Sequence, residues 1–124
     1  MEDPISKVNQ DQLKGGGNST LLGPIPFSYL TASPLVLNAL TAGQIIYRVT
    51  VIINVAFNDA AATMQLGTST TPNLVFSSGD VNLIVIDQYD NEMFITIPSD
   101  DLFILTISPG TSTQGSGIIY YEIK

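Results

Sequence analysis

Apolar and polar residues alternate along much of this chain, and the longest alternating segment is QIIYRVTVIINVAF, residues 44–57. Every second residue of an extended chain points to the same face of a sheet. The other face of this segment, which contains Ile46, Arg48 and Ile52, mixes apolar with polar residues, so we expect it to contact a second sheet edge or another subunit. The first face is almost wholly apolar and is predicted to lie in the core, with Ile45, Tyr47, Val49, Val51, Ile53, Val55 and Phe57.

Shorter segments of the same kind predict the remaining strands, and β-branched and aromatic residues dominate them. These segments lie at 27–30, 34–40, 63–67, 81–87, 92–97, 102–108 and 116–124, with turn sequences at 41–43, 77–80, 87–91, 98–101 and 108–117. About eight strands in one chain predict an all-β fold, an antiparallel β-sandwich or jelly roll. In the last segment, Tyr121 is predicted to be in the core, and Tyr120 faces the opposite way, toward a subunit contact.

The first 26 residues differ from the rest of the chain. They contain three consecutive glycines at 15–17, and Pro24 and Pro26 follow. Consecutive glycines favour an extended chain without regular structure, because ordering them costs backbone entropy. We therefore predict an extended N-terminal arm at 1–26 and a β-sandwich domain at 27–124. The apolar arm residues predicted to contact a partner are Ile5, Leu13, Leu21 and Leu22.

Residues 64–83, MQLGTSTTPNLVFSSGDVNL, raise the question of a ligand-binding loop. From residue 68 to 80 no Lys follows a glycine, the glycine spacing of a dinucleotide loop is missing, and no helix follows, so a phosphate site is not indicated. We predict instead a crossover connection between strands, with Val75 and Phe76 anchored in the core.

Composition limits the chemistry that is available. The chain of 124 residues has no cysteine and no histidine, which excludes thiolate metal sites, Cys nucleophiles and histidine-dependent triads. Its 4 basic and 11 acidic side chains give a net charge of −7, which disfavours nucleic acid and anionic membranes as partners. The sequence shows neither a secretion signal nor a membrane span, so we expect a chain that is made and retained in soluble form until it assembles.

Carboxylates are the remaining candidates for a catalytic or metal site. Asp87, Asp90 and Glu92 lie close together in DQYDNE, and one open hypothesis is a Ca²⁺-dependent carbohydrate-binding protein that uses them. Acidic residues that solvate a hairpin turn are the favoured interpretation. We predict no catalytic residue, no metal ligand and no cofactor.

The segment YRVTVIINVAFNDAAATMQLGTSTTPNLVFSSGDVNL, with the later loop SPGTSTQGSG, resembles small β-sandwich virion proteins of tailed phages. In those proteins a strand ending in V.TAF(D/N) precedes A.ATLSVGT...P..L...SDVDL. The resemblance implies a head decoration, cement or head-fibre protein, commonly trimeric, bound to the major capsid protein or another virion protein. By this resemblance we predict a structural protein on the capsid surface of the virion, made in the host cytoplasm, which stabilises the head through its arm and apolar strand faces. A receptor-binding or tail-fibre module is the alternative.

Overall fold

The computed structural model describes residues 20–124, which form seven β-strands and no helix. Every strand pairing is antiparallel. One sheet has the order β1-β7-β3-β5 and the other β2-β6-β4. The predicted all-β sandwich is confirmed, with seven strands instead of about eight. The strands are β1 Thr20–Ser28, β2 Leu35–Leu40, β3 Ile45–Val55, β4 Thr63–Thr68, β5 Asp87–Thr96, β6 Asp101–Ser108 and β7 Ser116–Ile123.

The core lies between the two sheets and is built from the inward-pointing residues of the strands, which alternate with outward-pointing ones. In β7, for example, Gly117, Ile119, Tyr121 and Ile123 are buried and the residues between them are partly exposed. Burial of such aliphatic and aromatic side chains is the main favourable contribution to folding. The largest fully buried side chains are Phe103, Ile46, Ile53, Met64, Leu66, Leu83, Ile97, Leu105, Ile119, Val49 and Val51.

Strand β3 does not keep one alternation along its whole length. Relative to β7 it contains one extra residue between Ile46 and Arg48 and another between Ile53 and Val55. Each extra residue is a β-bulge, which shifts the following side chains to the opposite face. Ile46 is therefore fully buried, and its predicted place on the outer face is wrong.

The same bulges also change the burial of residues that the alternation predicts to lie in the core. Val49, Val51, Ile53 and Phe57 are buried as predicted. Tyr47, however, is only partly buried, and Val55 is 43% exposed. A strict period of two holds only between the bulges.

The region before and within β5 also differs from the prediction. Residues 81–86, predicted as a strand, form turns, and the predicted turn at 87–91 is the first half of β5. Val81 and Leu83 are buried and hold the segment against the core, where the backbone N–H of Phe57 donates to the carbonyl of Leu83. β5 is an edge strand, so its exposed polar residues can alternate with partly buried ones without loss of pairing.

Strand β1 begins at Thr20, within the predicted arm, and pairs with β7 as the other edge of the four-stranded sheet. Residues 20–26 are thus strand residues, whereas Ile5 and Leu13 lie outside the described residues. Leu22 packs against the core and Leu21 is 64% exposed.

The crossover connection is confirmed. Residues 69–86 lead from β4 of the three-stranded sheet to β5 of the four-stranded sheet. Val75 and Phe76 are buried, and Phe76 forms a bridge to Leu66. The connection returns so close to β4 that a Cβ on Gly67 would overlap the backbone of Thr71 and Leu74. Among residues 20–124 no helix could span a membrane.

Candidate functional site

The outer face of the four-stranded sheet brings together four of the residues that the sequence predicts to lie at an interface: Leu21, Arg48, Ile52 and Tyr120. Antiparallel register places the outward side chains of neighbouring strands in rows across this face. The three rows are Leu21–Glu122–Arg48–Glu92, Tyr120–Thr50–Asp90, and Pro26–Ile118–Ile52–Gln88.

Several apolar side chains of β1, β7 and β3 lie beside one another on this face. Ile52 lies opposite Ile118, and Ile118 lies opposite Pro26. Tyr120 lies beside them, next to Gly23, where a Cβ would come within 3.2 Å of the Tyr120 ring. Ile52, Ile118 and Tyr120 are partly buried and Pro26 is exposed, and the strand register places them beside one another as an apolar area next to the charged residues.

An aromatic pair lies near one end of the face. The ring centroids of Tyr47 and Phe94 are 4.6 Å apart, with the rings at 78° in an edge-to-face arrangement. Phe94 is 78% exposed, the highest value among the large apolar side chains of the described residues. Sequence reasoning missed Phe94, because the segment 92–97 predicts a strand that by itself does not show which face is outward. The signal lies in the longer segment 87–96, where Phe94 shares its face with the polar residues Asp90 and Glu92.

Arg48 forms an ion pair with Glu92 across the β3–β5 pairing. The hydrogen bond to Glu92 and then its charge raise the pKa of Arg48, and Glu122 and Asp90 add to the effect. The side chains of Arg48 and Glu92 are 48% and 69% exposed, so solvent screens the pair and it contributes little to stability. Its effect is to hold both charged groups in place on the outer face.

The other carboxylates of the predicted cluster have separate partners. Asp90 accepts hydrogen bonds from Thr50 Oγ1 at 2.5 Å and Gln88 Nε2 at 3.1 Å, which lower the pKa of Asp90. Asp87 accepts one from the backbone N–H of Gln88. Within residues 20–124 no three His, Cys, Asp or Glu side chains form a group that could hold a metal ion. The structure therefore offers the calcium hypothesis no ligand set in this part of the chain.

A shallow depression of about 570 Å³ lies at the end of the outer face that carries Tyr47 and Phe94, and it is open to solvent. We call it the aromatic depression. It combines the aromatic pair with the charged residues of the first row, and it is lined by Tyr47, Arg48, Glu92, Met93, Phe94 and Glu122.

Other exposed apolar side chains lie at the end of the four-stranded sheet where β1 finishes. Ser28 and Val55 both pair with Ser116, and Asp87 pairs with Ile53, so the segment after β1 and the segment before β5 lie at the same end of the sheet, at its two opposite edges. The exposed side chains there are Leu30 75%, Val55 43%, Ile84 42%, Val85 44% and Ile86 66%.

No protein-family model matches this chain, and no curated protein matches it either. Two solved structures do match in fold. A chain in the capsid asymmetric unit of cyanophage Pam1 superposes with a TM-score of 0.63 at 18% identity, covering 96% of this chain and 98% of that chain. A chain in the acid-stable capsid of Helicobacter pylori bacteriophage KHP30 superposes with a TM-score of 0.62 at 11% identity, covering 86% and 92%. This protein therefore shares its β-sandwich fold with chains of two phage capsid structures.

Proposed function

We propose that this chain is a structural protein of a phage virion, which binds the capsid surface as a decoration or cement protein and stabilises the head. The observation that carries the proposal is the fold match over nearly the full length of both chains to a chain of a phage capsid asymmetric unit. The partly apolar outer face supports it, because a cement protein acts by covering the surface of its neighbours.

The proposed role requires binding and no catalysis. A chain without histidine or cysteine has few means of nucleophilic or acid–base chemistry, yet it has ample surface for contacts. The proposed partner is the major capsid protein or another virion protein, and the proposed location is the capsid surface. Nucleic acid and membrane are not proposed as partners, because the net charge is −7.

Two regions are proposed to make the contacts. One is the N-terminal arm, with Ile5 and Leu13. The other is the outer face of the four-stranded sheet, with Leu21, Ile52 and Tyr120. We also propose that the protein is a homotrimer, which sedimentation equilibrium would detect as three times the chain mass of 13.3 kDa.

The test uses phage heads prepared without this protein. Purified protein is added, the heads are sedimented, and bound protein is quantified, followed by heating of the heads and measurement of DNA release. We expect saturable binding and a higher temperature of DNA release. Binding to host cells with no affinity for heads would contradict the proposal and favour a receptor-binding tail module.

A double variant, Ile5→Ser with Leu13→Ser, tests the N-terminal contact. We expect weaker binding to heads and an unchanged thermal midpoint. The matched control is Val36→Ser, which removes an apolar side chain that is 52% exposed on the three-stranded sheet. Equal binding by the double variant and the control would argue against a role for the N-terminal segment.

A further inference from the structure

We infer that residues 1–19, the part of the N-terminal arm that precedes β1, bind the outer face of the four-stranded sheet of their own chain, with Leu13 packed against Phe94. We call this part the 1–19 segment. On the outer face, Phe94 is 78% exposed and Leu21, close to the point where the segment joins β1, is 64% exposed. The contact is apolar and leaves the ion pair of this face in place. The inference goes beyond the proposed function, because it concerns the isolated chain.

The 1–19 segment joins the domain at the end of the sheet that carries the aromatic depression. Strand register forms one row across the four strands at this end, Thr20–Ile123–Ile46–Ile95. Ile95 is the chain neighbour of Phe94, which lines the depression. The segment therefore begins one sheet width away from Phe94.

The chain before β1 is long enough to cross this width. Neighbouring strands lie about 4.8 Å apart, so Thr20 and Ile95, at the two edges of the sheet, are separated by about 14 Å. An extended chain spans up to about 3.3 Å per residue, so Leu13 can lie up to about 23 Å from Thr20. The glycines at 15–17 lie between them and allow the chain to turn back over the face. Leu13 can therefore reach Phe94 of its own chain.

The composition of the 1–19 segment fits an apolar contact of this kind. Its large aliphatic side chains are Ile5, Val8 and Leu13, and Leu13 is the nearest of them to the domain. Packing Leu13 on Phe94 removes apolar surface of both side chains from water, which is favourable. The partly buried Tyr47, whose ring lies edge to face with Phe94, extends the surface that Leu13 can contact.

The charge of the segment allows it to approach the domain. Residues 20–124 contain two basic and eight acidic side chains, 2 − 8 = −6. Residues 1–19 contain two basic side chains, Lys7 and Lys14, and three acidic ones, 2 − 3 = −1. The nearly neutral segment therefore meets much less electrostatic repulsion at the outer face than a second acidic domain would.

A short linker favours the segment of the same chain over that of a second copy. Flexible linkers hold a tethered segment at an effective concentration in the millimolar range. Protein at micromolar concentration presents the segment of a second copy at a far lower concentration. The occupant of the outer face in dilute solution is therefore the chain's own 1–19 segment.

The experiment measures disulfide formation in the full chain, which has no cysteine of its own. Gln12→Cys with Thr96→Cys places one thiol next to Leu13 and the other on the exposed face of β5, two residues from Phe94. Under mild oxidation we expect an intramolecular disulfide, detected as a monomer that migrates faster without reductant.

The matched control is Gln12→Cys with Ala39→Cys. Ala39 is exposed on the three-stranded sheet, near the same end of the sandwich, because the turn after β2 leads directly to the start of β3. The disulfide of the first pair should form at least about tenfold faster than that of the control pair, because docking raises the effective concentration of the thiol at Thr96 only.

Adding Phe94→Ala to the first pair should slow its disulfide formation several-fold. Phe94 is mostly exposed, so an almost unchanged thermal midpoint checks that the variant is folded. Equal rates for the first pair and the control pair, or a rate that Phe94→Ala leaves unchanged, would overturn the inference. Disulfide-linked dimers in place of monomers would assign the 1–19 segment to a second copy and would also overturn it.

These measurements need no phage heads, so their outcome is separate from that of the proposed function. A fast intramolecular disulfide in a protein that does not bind heads would keep this inference and overturn the proposed function. Binding to heads without a fast disulfide would do the reverse.

Discussion

The phenol of Tyr121 on β7 donates a hydrogen bond of 3.0 Å to the carbonyl oxygen of Leu37 on β2, across the interior of the sandwich. The two residues belong to different sheets and are 84 positions apart in the chain. The Tyr121 ring also packs edge to face against Phe103, with centroids 5.1 Å apart. Burial raises the pKa of Tyr121, in keeping with a phenol that stays protonated and donates.

Tyr121→Phe should lower the free energy of unfolding by about 1 kcal/mol, because it removes the donor and leaves the Leu37 carbonyl without it. The ring packing is retained, so the loss reports the hydrogen bond. Tyr120→Phe is the matched control on the opposite face and should change stability by less than about 0.5 kcal/mol. Urea denaturation measures both, and equal losses would contradict this role of Tyr121.

Ile46 and Tyr47 test the bulge in β3. Ile46→Ala should lower the free energy of unfolding by about 2–5 kcal/mol, because Ile46 is fully buried and its truncation leaves a cavity. Tyr47→Ala should have a smaller effect, because Tyr47 is partly exposed on the outer face. The uninterrupted alternation of the sequence predicts the reverse order. Urea denaturation of the two variants distinguishes these arrangements.

Gly67→Ala tests the close approach of the crossover to β4. The new Cβ would lie 2.6 Å from the backbone nitrogen of Leu74 and would overlap the carbonyl oxygen of Thr71. Backbone atoms cannot move aside as a side chain can, so we expect a loss of about 1–3 kcal/mol. Gly79→Ala is the control, since no atom lies within 4 Å of its Cβ. A similar thermal midpoint for both variants would contradict the described packing.

Asp59 should make stability depend on pH. Backbone N–H groups of Thr111 and Ala61, followed by the Thr111 hydroxyl, donate to its carboxylate and lower the pKa of Asp59. A folded pKa below the unfolded value, about 3.9, gives stability that is present above the unfolded pKa. This stability is lost as the pH falls through the folded pKa.

The measurement for Asp59 compares thermal midpoints of the wild type and Asp59→Asn from pH 7 to pH 2. Asp90 and Asp101 also have a lowered pKa, so both proteins should lose stability in acid. The difference between the two proteins reports Asp59 and should shrink as the pH falls below about 4. A difference that is constant over this range would mean that the Asp59 charge does not contribute.

Local patterns in the sequence predicted much of the fold. Alternation identified β2, β3, β4, β6 and β7 and the all-β class, because a period of two is imposed by the strand backbone itself. The Gly, Ser and Thr content of 68–80 identified the crossover, and the apolar pair Val75 and Phe76 identified its anchors. These features depend on neighbours in the chain, which the sequence displays directly.

Part of the outer face was also predicted. Leu21, Arg48, Ile52 and Tyr120 were selected from separate segments, and strand pairing brings them to one surface. The sequence did not predict that Phe94 lies on this face or that Arg48 pairs with Glu92, because both depend on which strand lies beside β3.

The sequence by itself determined that this chain forms a sandwich of antiparallel strands and that the chemistry of histidine and cysteine side chains is not available to it, since the period of the apolar residues and the composition are local facts. Only the tertiary structure decided which residues of β3 face the core, where β5 begins, and that residues 20–26 join the sheet. The physical reason is that bulges and edge pairing are set by contacts between distant strands. A one-residue shift in such a contact moves Ile46 into the core while the sequence pattern stays the same.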